Sequence, residues 1–114
     1  MSTLRGALLV AMLGLCARAT ADELTPAQAQ GKQVYSHSCI YCHAPGVWGT
    51  NRLARRMDKE HAVLENRTDL TAAGIRAVVR AGIGSMPPLR RTEISDADLD
   101  AIAAYLTRQK SGAP

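Results

Sequence analysis

Two cysteines and a histidine in one short segment, Cys39-Ile40-Tyr41-Cys42-His43, constrain this chain more than any other feature of its sequence. If the segment is helical, one turn presents both thiols on the same side, because residues three apart are neighbours on a helix surface. The next residue, His43, then places an imidazole beside them. C-x-x-C-H is the attachment signature of c-type haem, in which two thioether bonds hold the porphyrin and the histidine is an axial ligand of the iron.

Two other uses of a C-x-x-C pair fit the sequence less well. A thioredoxin-like redox pair is expected within a βαβ pattern, and this chain has no strand pattern. A zinc site would need two more ligands, and only His37, His43 and His61 are available. We therefore predict one haem c, bound covalently through Cys39 and Cys42.

The first 21 residues have the pattern of a cleavable export signal. Arg5 supplies positive charge, residues 7–15 form an apolar run too short to span a bilayer, and Ala19-Thr20-Ala21 fits an A-x-A cleavage site. A lipoprotein signal that ends at Cys16 is disfavoured, because the preceding Leu15 is large. We therefore predict a signal peptide at 1–21 and a periplasmic location.

The exported part, residues 22–114, is one small domain with few large side chains. The whole chain has no Phe, one Trp and three Tyr, and Cys16 leaves with the signal. A domain of this size has a small core and commonly needs a disulfide, a metal or another inserted group. Loss of Arg5 and Arg18 lowers the formal charge from +4 to +2, so the high isoelectric point does not indicate a nucleic-acid partner.

Hydrophobic periodicity and capping residues predict three main helices and an all-α fold. The first begins after the N-cap Thr25, runs to about Ser38 and contains Gly31, whose low helix propensity suggests that another helix crosses close to it. The second begins after Thr71 and ends near Gly82 or Gly84. The third begins after Ser95 and ends at Gly112. Between the first two, a short helix is expected within 52–61.

Four side chains are candidates for the second axial ligand: Met57, Met86, His37 and His61. Met86 is preferred because its loop has Gly82 and Gly84 before it and Pro87 and Pro88 after it. The glycines let the backbone approach a flat ring, and the prolines limit the loop's conformations. His37 is too close to the attachment turn to reach the opposite face easily. His61 lies in a charged stretch and is expected to be solvated.

The same features resemble the class I c-type cytochromes. Gly31-x-x-x-Tyr35 is similar to their N-terminal helix, Gly84-Ser85-Met86-Pro87 to their distal-ligand loop, and residues 99–106, with Tyr105, to their C-terminal helix. The resemblance implies a cytochrome c-like fold in which the first and last helices cross near right angles, with Gly31 opposite an aromatic residue such as Tyr105. Among small cytochromes, the chain is similar to those that accompany flavin dehydrogenases such as p-cresol methylhydroxylase.

One segment departs from the family pattern. Many members have Gly-Pro shortly after the haem motif, and the proline carbonyl accepts a hydrogen bond from the proximal histidine. Here Gly49-Thr50-Asn51 occupies that region. We still expect a backbone carbonyl between Pro45 and Leu53 to orient His43, because axial histidines need such an acceptor.

Ligation by both His43 and Met86 would fill the iron coordination sphere, which favours electron transfer over catalysis. The predicted function is a periplasmic one-electron carrier that accepts electrons from a dehydrogenase and passes them to an oxidase or another cytochrome, with no membrane span in its mature form. The alternatives are a fixed subunit of a flavoenzyme or quinoprotein complex, and a haem enzyme or gas sensor with an open sixth position. The expected apolar wall of the haem pocket is formed by Ile40, Leu53, Ile75, Val78, Val79, Ile83 and Leu89.

Charge is distributed unevenly along the chain. Residues 50–91 carry nine basic and four acidic side chains, whereas residues 92–114 carry two and four. Such an asymmetry predicts a dipole that orients docking to an acidic redox partner. The candidates for contact with the haem or its propionates are Trp48, Arg52, Arg55 and Arg56.

Overall fold

The computed structural model describes residues 23–108, and all of the regular secondary structure there is helical. The elements are α1 (Pro26–Ser38), α2 (Ile40–His43), α3 (Trp48–Leu53), a 3₁₀ turn (Leu64–Asn66), α4 (Ala72–Ala81) and α5 (Asp96–Leu106). The predicted all-α class is confirmed, whereas the predicted signal peptide lies outside the described residues. Within residues 23–108, no helix combines the length and apolarity needed to cross a bilayer.

The three main helices begin where their capping residues predict. At α1, Thr25 Oγ1 accepts from the Gln28 amide at 3.3 Å, and Gln28 Oε1 accepts from the Thr25 amide at 3.0 Å. At α4 Thr71 Oγ1 accepts from the Gly74 amide at 3.0 Å, and at α5 Ser95 Oγ accepts from the Asp98 amide at 3.0 Å. These side chains satisfy amides that have no partner inside the helix.

The prediction of a short helix within 52–61 is wrong. The helix of this region is α3, which begins at Trp48 and ends at Leu53. After α3 the chain continues in turns. The Asp58 carboxylate accepts from the His61 amide at 2.9 Å, which is the geometry of a helix N-cap, but the next helical element is only the short 3₁₀ turn at Leu64–Asn66.

The last helix is also shorter than predicted, since α5 ends at Leu106 and does not reach Gly112. Thr107 Oγ1 donates to the Ala103 carbonyl at 2.7 Å, and Arg108 Nη1 donates to the Tyr105 carbonyl at 2.6 Å. The Ala103 carbonyl also accepts from the Thr107 amide at 3.0 Å, so the two side chains add hydrogen bonds at the last turn of the helix.

The crossing of α1 and α5 is the main packing interaction of the described chain. Gly31 is buried, and a Cβ placed there would overlap the Ala101 carbonyl. The predicted close crossing is therefore confirmed, but its predicted partner is corrected. The atoms nearest to Gly31 are backbone atoms of Ala101 and Ile102, while the Tyr105 ring packs against Tyr35 at a centroid distance of 5.9 Å.

The buried core is small and is dominated by α5. Five of its eight residues belong to α5, and the others come from α1, from α4 and from the segment before α5. Cys39 and Ile40 of the attachment segment are half-buried and pack against this core. The core residues are Tyr35, Ile75, Ile94, Leu99, Ile102, Ala103, Tyr105 and Leu106.

Replacement of Gly31 by alanine tests the crossing. Although alanine is the better helix former by about 1 kcal/mol, its methyl group would overlap the Ala101 carbonyl, so we expect Gly31→Ala to lower the free energy of unfolding by about 1–3 kcal/mol. Denaturant titration measures the change. Ala29→Gly, at an exposed position of the same helix, calibrates helix propensity alone. A stabilised Gly31→Ala protein would contradict the crossing.

Candidate cofactor site

The predicted attachment residues lie on a single helical turn. Cys39 links α1 to α2, because its amide donates to the Tyr35 carbonyl at 2.9 Å while its own carbonyl accepts from Cys42 at 3.1 Å and from His43 at 2.9 Å. The backbone therefore brings two thiols and one imidazole together, as the spacing of the motif predicts.

The two thiols are in different environments. Cys42 is exposed, whereas Cys39 is half-buried against the core, and neither forms a disulfide. Burial, together with the nearby Cys42, raises the pKa of Cys39 to about 11. Its thiol is therefore protonated at neutral pH. Both sulfur atoms remain free to form thioether bonds.

The imidazole of His43 is half-buried and lacks an internal hydrogen-bond partner at Nδ1. Burial lowers the pKa of His43, which favours the neutral ring, the form that binds metals. A buried polar atom without a partner usually marks a missing water, ion or ligand, or a position that has a functional role.

The predicted hydrogen bond from His43 to a backbone carbonyl between Pro45 and Leu53 is not found in this structure, because His43 Nδ1 has no partner. Several carbonyls of the 45–53 segment accept hydrogen bonds from within the segment instead. The Gly46 carbonyl accepts from Asn51 Nδ2 at 2.9 Å, and the Val47 carbonyl accepts from the Asn51 amide at 2.9 Å. Local turn and helix hydrogen bonds therefore compete for the acceptors that the ring was expected to use.

Helix α3 lies directly against the attachment turn. A Cβ at Gly49 would overlap the Cys42 carbonyl and lie 3.3 Å from Cys42 Cβ. On the side of α1, the Tyr35 hydroxyl donates to the His43 carbonyl over a long 3.5 Å. The turn is thus positioned by the main core and by a backbone contact that only glycine permits.

Met86 is half-buried at the end of a two-residue hairpin loop. The Ile83 amide donates to the Met86 carbonyl at 3.1 Å, and the Met86 amide donates to the Ile83 carbonyl at 2.9 Å. The two central residues of this turn are Gly84 and Ser85. Only Gly84 has a positive φ, +57°, which is the pattern of a type II′ turn. The thioether is therefore carried by a loop with its own hydrogen bonds.

Gly82 permits a tight turn of the chain directly after α4. It has a φ of +72°, and a Cβ there would lie 2.7 Å from the Met86 carbonyl oxygen and 2.8 Å from the Pro88 nitrogen. Gly82 thus lets the loop fold back against the end of α4. The Leu89 amide then donates to the Val79 carbonyl at 2.8 Å, which returns the chain to that helix.

The other ligand candidates lie in different settings. His61 is exposed, and its Nδ1 lies 2.8 Å and 2.9 Å from the two carboxylate oxygens of Asp58. The hydrogen bond from the His61 amide is the main cause of the lowered pKa of Asp58. His37 is exposed on α1, and Met57 is half-buried in the turns after α3.

Apolar side chains near the attachment turn and near Met86 are only partly covered by the protein. Of the expected wall residues only Ile75 is buried, and Ile83, beside Met86 in the hairpin, is 62% exposed. Trp48 at the start of α3 is 58% exposed. The other wall residues are half-buried: Ile40, Leu53, Val78, Val79 and Leu89.

These residues fit a covalently attached haem. Two free thiols share a turn with an imidazole whose buried nitrogen has no partner, and large apolar side chains remain exposed. Cys39 and Cys42 would hold the porphyrin, and His43 would bind its iron. Among the described residues, no three His, Cys, Asp or Glu side chains lie close enough to hold a metal ion by themselves.

Comparison with known families gives one match. A family model described as "Cytochrome C oxidase, cbb3-type, subunit III" matches residues 26–106, from the first residue of α1 to the last residue of α5. No curated protein and no solved structure gives a significant match.

Gly49→Ala tests the contact between α3 and the attachment turn. The added methyl group would push α3 away from Cys42, so we expect stability to fall by about 1–3 kcal/mol and fewer chains to carry covalent haem after expression with a c-type maturation system. Intact mass measures the loaded fraction. Gly46→Asn is the matched control, because no atom lies near a Cβ there and asparagine tolerates the positive φ. Equal loading of the two variants would contradict the contact.

Proposed function

Because the chain belongs to the family described as cytochrome c oxidase, cbb3-type, subunit III, we propose that it is an exported one-electron carrier whose single haem iron is bound by His43 and Met86. Membership establishes an all-α cytochrome c domain, covalently bound haem c and electron transfer through that haem. The proposal adds the class I assignment, the two ligands, the periplasmic location and the partners.

The observation that carries the proposal is the attachment turn, where Cys39, Cys42 and His43 project from one turn beside an incompletely covered apolar surface. When bound, haem c supplies an iron that alternates between the ferric and ferrous states. The polypeptide supplies two thioether links, one neutral imidazole and an apolar surround. Covalent links keep the cofactor in place when a domain with so small a core opens transiently.

Met86 is the proposed second ligand because its loop holds the thioether in a defined place. The paired hydrogen bonds with Ile83 and the return of Leu89 to α4 limit the conformations of this segment. Two protein ligands leave the iron no open position, which favours electron transfer over oxygen or peroxide chemistry. A neutral thioether also raises the reduction potential relative to a second histidine.

The proposal is tested by mass and by ligand replacement. We expect the exported protein to have the mass of residues 22–114 plus one haem, and its ferric spectrum to contain a methionine-sulfur charge-transfer band. Met86→Ala should keep the covalent haem, lose that band, lower the reduction potential and bind imidazole at least about tenfold more tightly, or about 1.4 kcal/mol.

Met57→Ala is the control for Met86→Ala, since it removes the other half-buried methionine of the described chain. It should keep the band and the potential. Absence of added haem mass would overturn the whole proposal. An unchanged spectrum in Met86→Ala would overturn the ligand assignment, and a high-spin wild-type spectrum would indicate the haem enzyme or sensor.

A basic cluster that begins in α3 and continues into the turns after it is the proposed docking surface for an acidic redox protein. Arg52, Arg55 and Arg56 lie at positions i, i+3 and i+4 of consecutive helical and turn residues, and all three are exposed, as is Lys59. Within residues 23–108 none of the four forms an ion pair. Their charge is therefore available to a partner.

Basic residues elsewhere in the 50–91 segment are largely paired. Arg76 binds Asp100 at 2.5 Å, and Asp96 binds both Arg80 at 2.7 Å and Arg91 at 2.6 Å. Acids of α5 therefore offset much of the charge asymmetry that the sequence suggests. What remains is more local, a cluster that begins in α3, which packs against the attachment turn.

Charge reversal tests this surface. We expect Arg56→Glu to slow oxidation of the ferrous protein by anionic hexacyanoferrate(III) at least about threefold at low ionic strength, and to speed oxidation by a cationic cobalt(III) complex, because the local potential near the haem becomes less positive. Lys32→Glu makes the same charge change on α1 and should alter either rate less than about twofold. Equal effects of the two variants would contradict a local docking surface.

A further inference from the structure

We propose that Arg80 is the positioning residue of the Met86 loop, residues 82–89. Arg80 fixes the end of this loop and the segment that follows it, and so holds the thioether of Met86 in one place. The inference rests on the proposed function, in which Met86 is an iron ligand. It concerns how this chain keeps that ligand in position, which the presence of a methionine alone does not explain.

The guanidinium of Arg80 joins α4 to the segment that follows the loop. Its Nη1 donates to the Leu89 carbonyl at 3.0 Å, and its Nη2 donates to the Ile94 carbonyl at 2.9 Å and to Asp96 Oδ1 at 2.7 Å. One side chain thus contacts three successive parts of the chain: the end of the loop, the buried residue before α5, and the first turn of α5.

The loop has few other attachments on this side. Pro87 and Pro88 have no amide hydrogen, so Leu89 is the first residue after Met86 whose backbone can donate. Its amide bonds to the Val79 carbonyl, and its carbonyl accepts from Arg80. Arg80 therefore supplies one of these two hydrogen bonds to the backbone of Leu89, the first residue after Met86 that is held in this way.

The environment strengthens these hydrogen bonds. Only 23% of the Arg80 side chain is exposed, and its Nε is buried without a partner. Hydrogen bonds with a charged donor contribute more than neutral ones, and more when shielded from water. A lysine has a single compact ammonium group and does not reproduce the planar set of donors that bridges these acceptors.

Arg76 provides a contrast on the same helix. It lies one turn before Arg80, pairs with Asp100 of α5, and leaves 47% of its side chain exposed. It forms no hydrogen bond with the loop or with the segment after it, among the bonds of the described residues. Removing Arg76 therefore removes an α4–α5 ion pair without releasing the Met86 loop.

The experiment compares Arg80→Gln with Arg76→Gln in the haem-loaded protein. Imidazole is the probe, because it binds ferric iron only where the protein's own ligand gives way. We expect Arg80→Gln to raise imidazole affinity at least about tenfold and to weaken the methionine-sulfur band, and to speed amide exchange at Leu89. Arg76→Gln should change imidazole affinity less than about twofold. Arg80→Lys, which retains the charge, should still raise it about threefold or more.

The global stability of each variant is measured in parallel by denaturant titration. If imidazole affinity rises equally in Arg80→Gln and Arg76→Gln, or only in proportion to lost global stability, the positioning role is wrong. If Arg80→Gln yields no loaded protein, Arg80→Lys decides, and wild-type imidazole affinity in that variant overturns the inference.

Met86→Ala separates the two hypotheses. If that variant keeps the band and the wild-type imidazole affinity, the ligand assignment in the proposed function has failed. If Met86→Ala loses the band while Arg80→Gln behaves like Arg76→Gln, the ligand assignment stands and only the role of Arg80 has failed.

Discussion

The close approach of two helix backbones at Gly31 is the contact on which the rest of the structure depends. Because no side chain separates α1 from the Ala101 carbonyl, the helices come near enough for Tyr35 to pack against Tyr105. The Tyr105 hydroxyl donates to Glu65, and burial together with this hydrogen bond raises the pKa of Tyr105 to about 12. A crossing of small residues therefore organises the aromatic core and ties in the 3₁₀ turn.

The attachment turn inherits its position from that crossing. Cys39 follows directly from α1, and its half-buried side chain packs against the same core as Tyr35. On the opposite side, Gly49 brings α3 against the Cys42 carbonyl. The protein fixes the backbone of the turn well but leaves apolar side chains exposed and His43 Nδ1 unpartnered, as expected of a small domain whose core is completed by its haem.

The Met86 loop is organised separately, through α4. Gly82 allows the chain to fold back, the hairpin pairs Ile83 with Met86, and Arg80 joins the returning segment to α5. Since α4 and α5 pack together, this loop and the attachment turn share one framework. Such an arrangement would suit the proposed ligation by His43 and Met86, because little movement of the two side chains would then accompany the change in iron charge.

Local patterns in the residue order were enough to identify the haem motif, the starts of three helices and the need for a close contact at Gly31. These features depend on neighbours within about one helical turn. They did not reveal that Ala101 lies opposite Gly31, or that the Tyr105 hydroxyl donates to Glu65. Nor did they reveal that acids of α5 pair with Arg76, Arg80 and Arg91. Those outcomes depended on which donors and acceptors the packed helices bring together across long stretches of chain, and hydrogen bonds and ion pairs of that kind leave no periodic mark on a sequence.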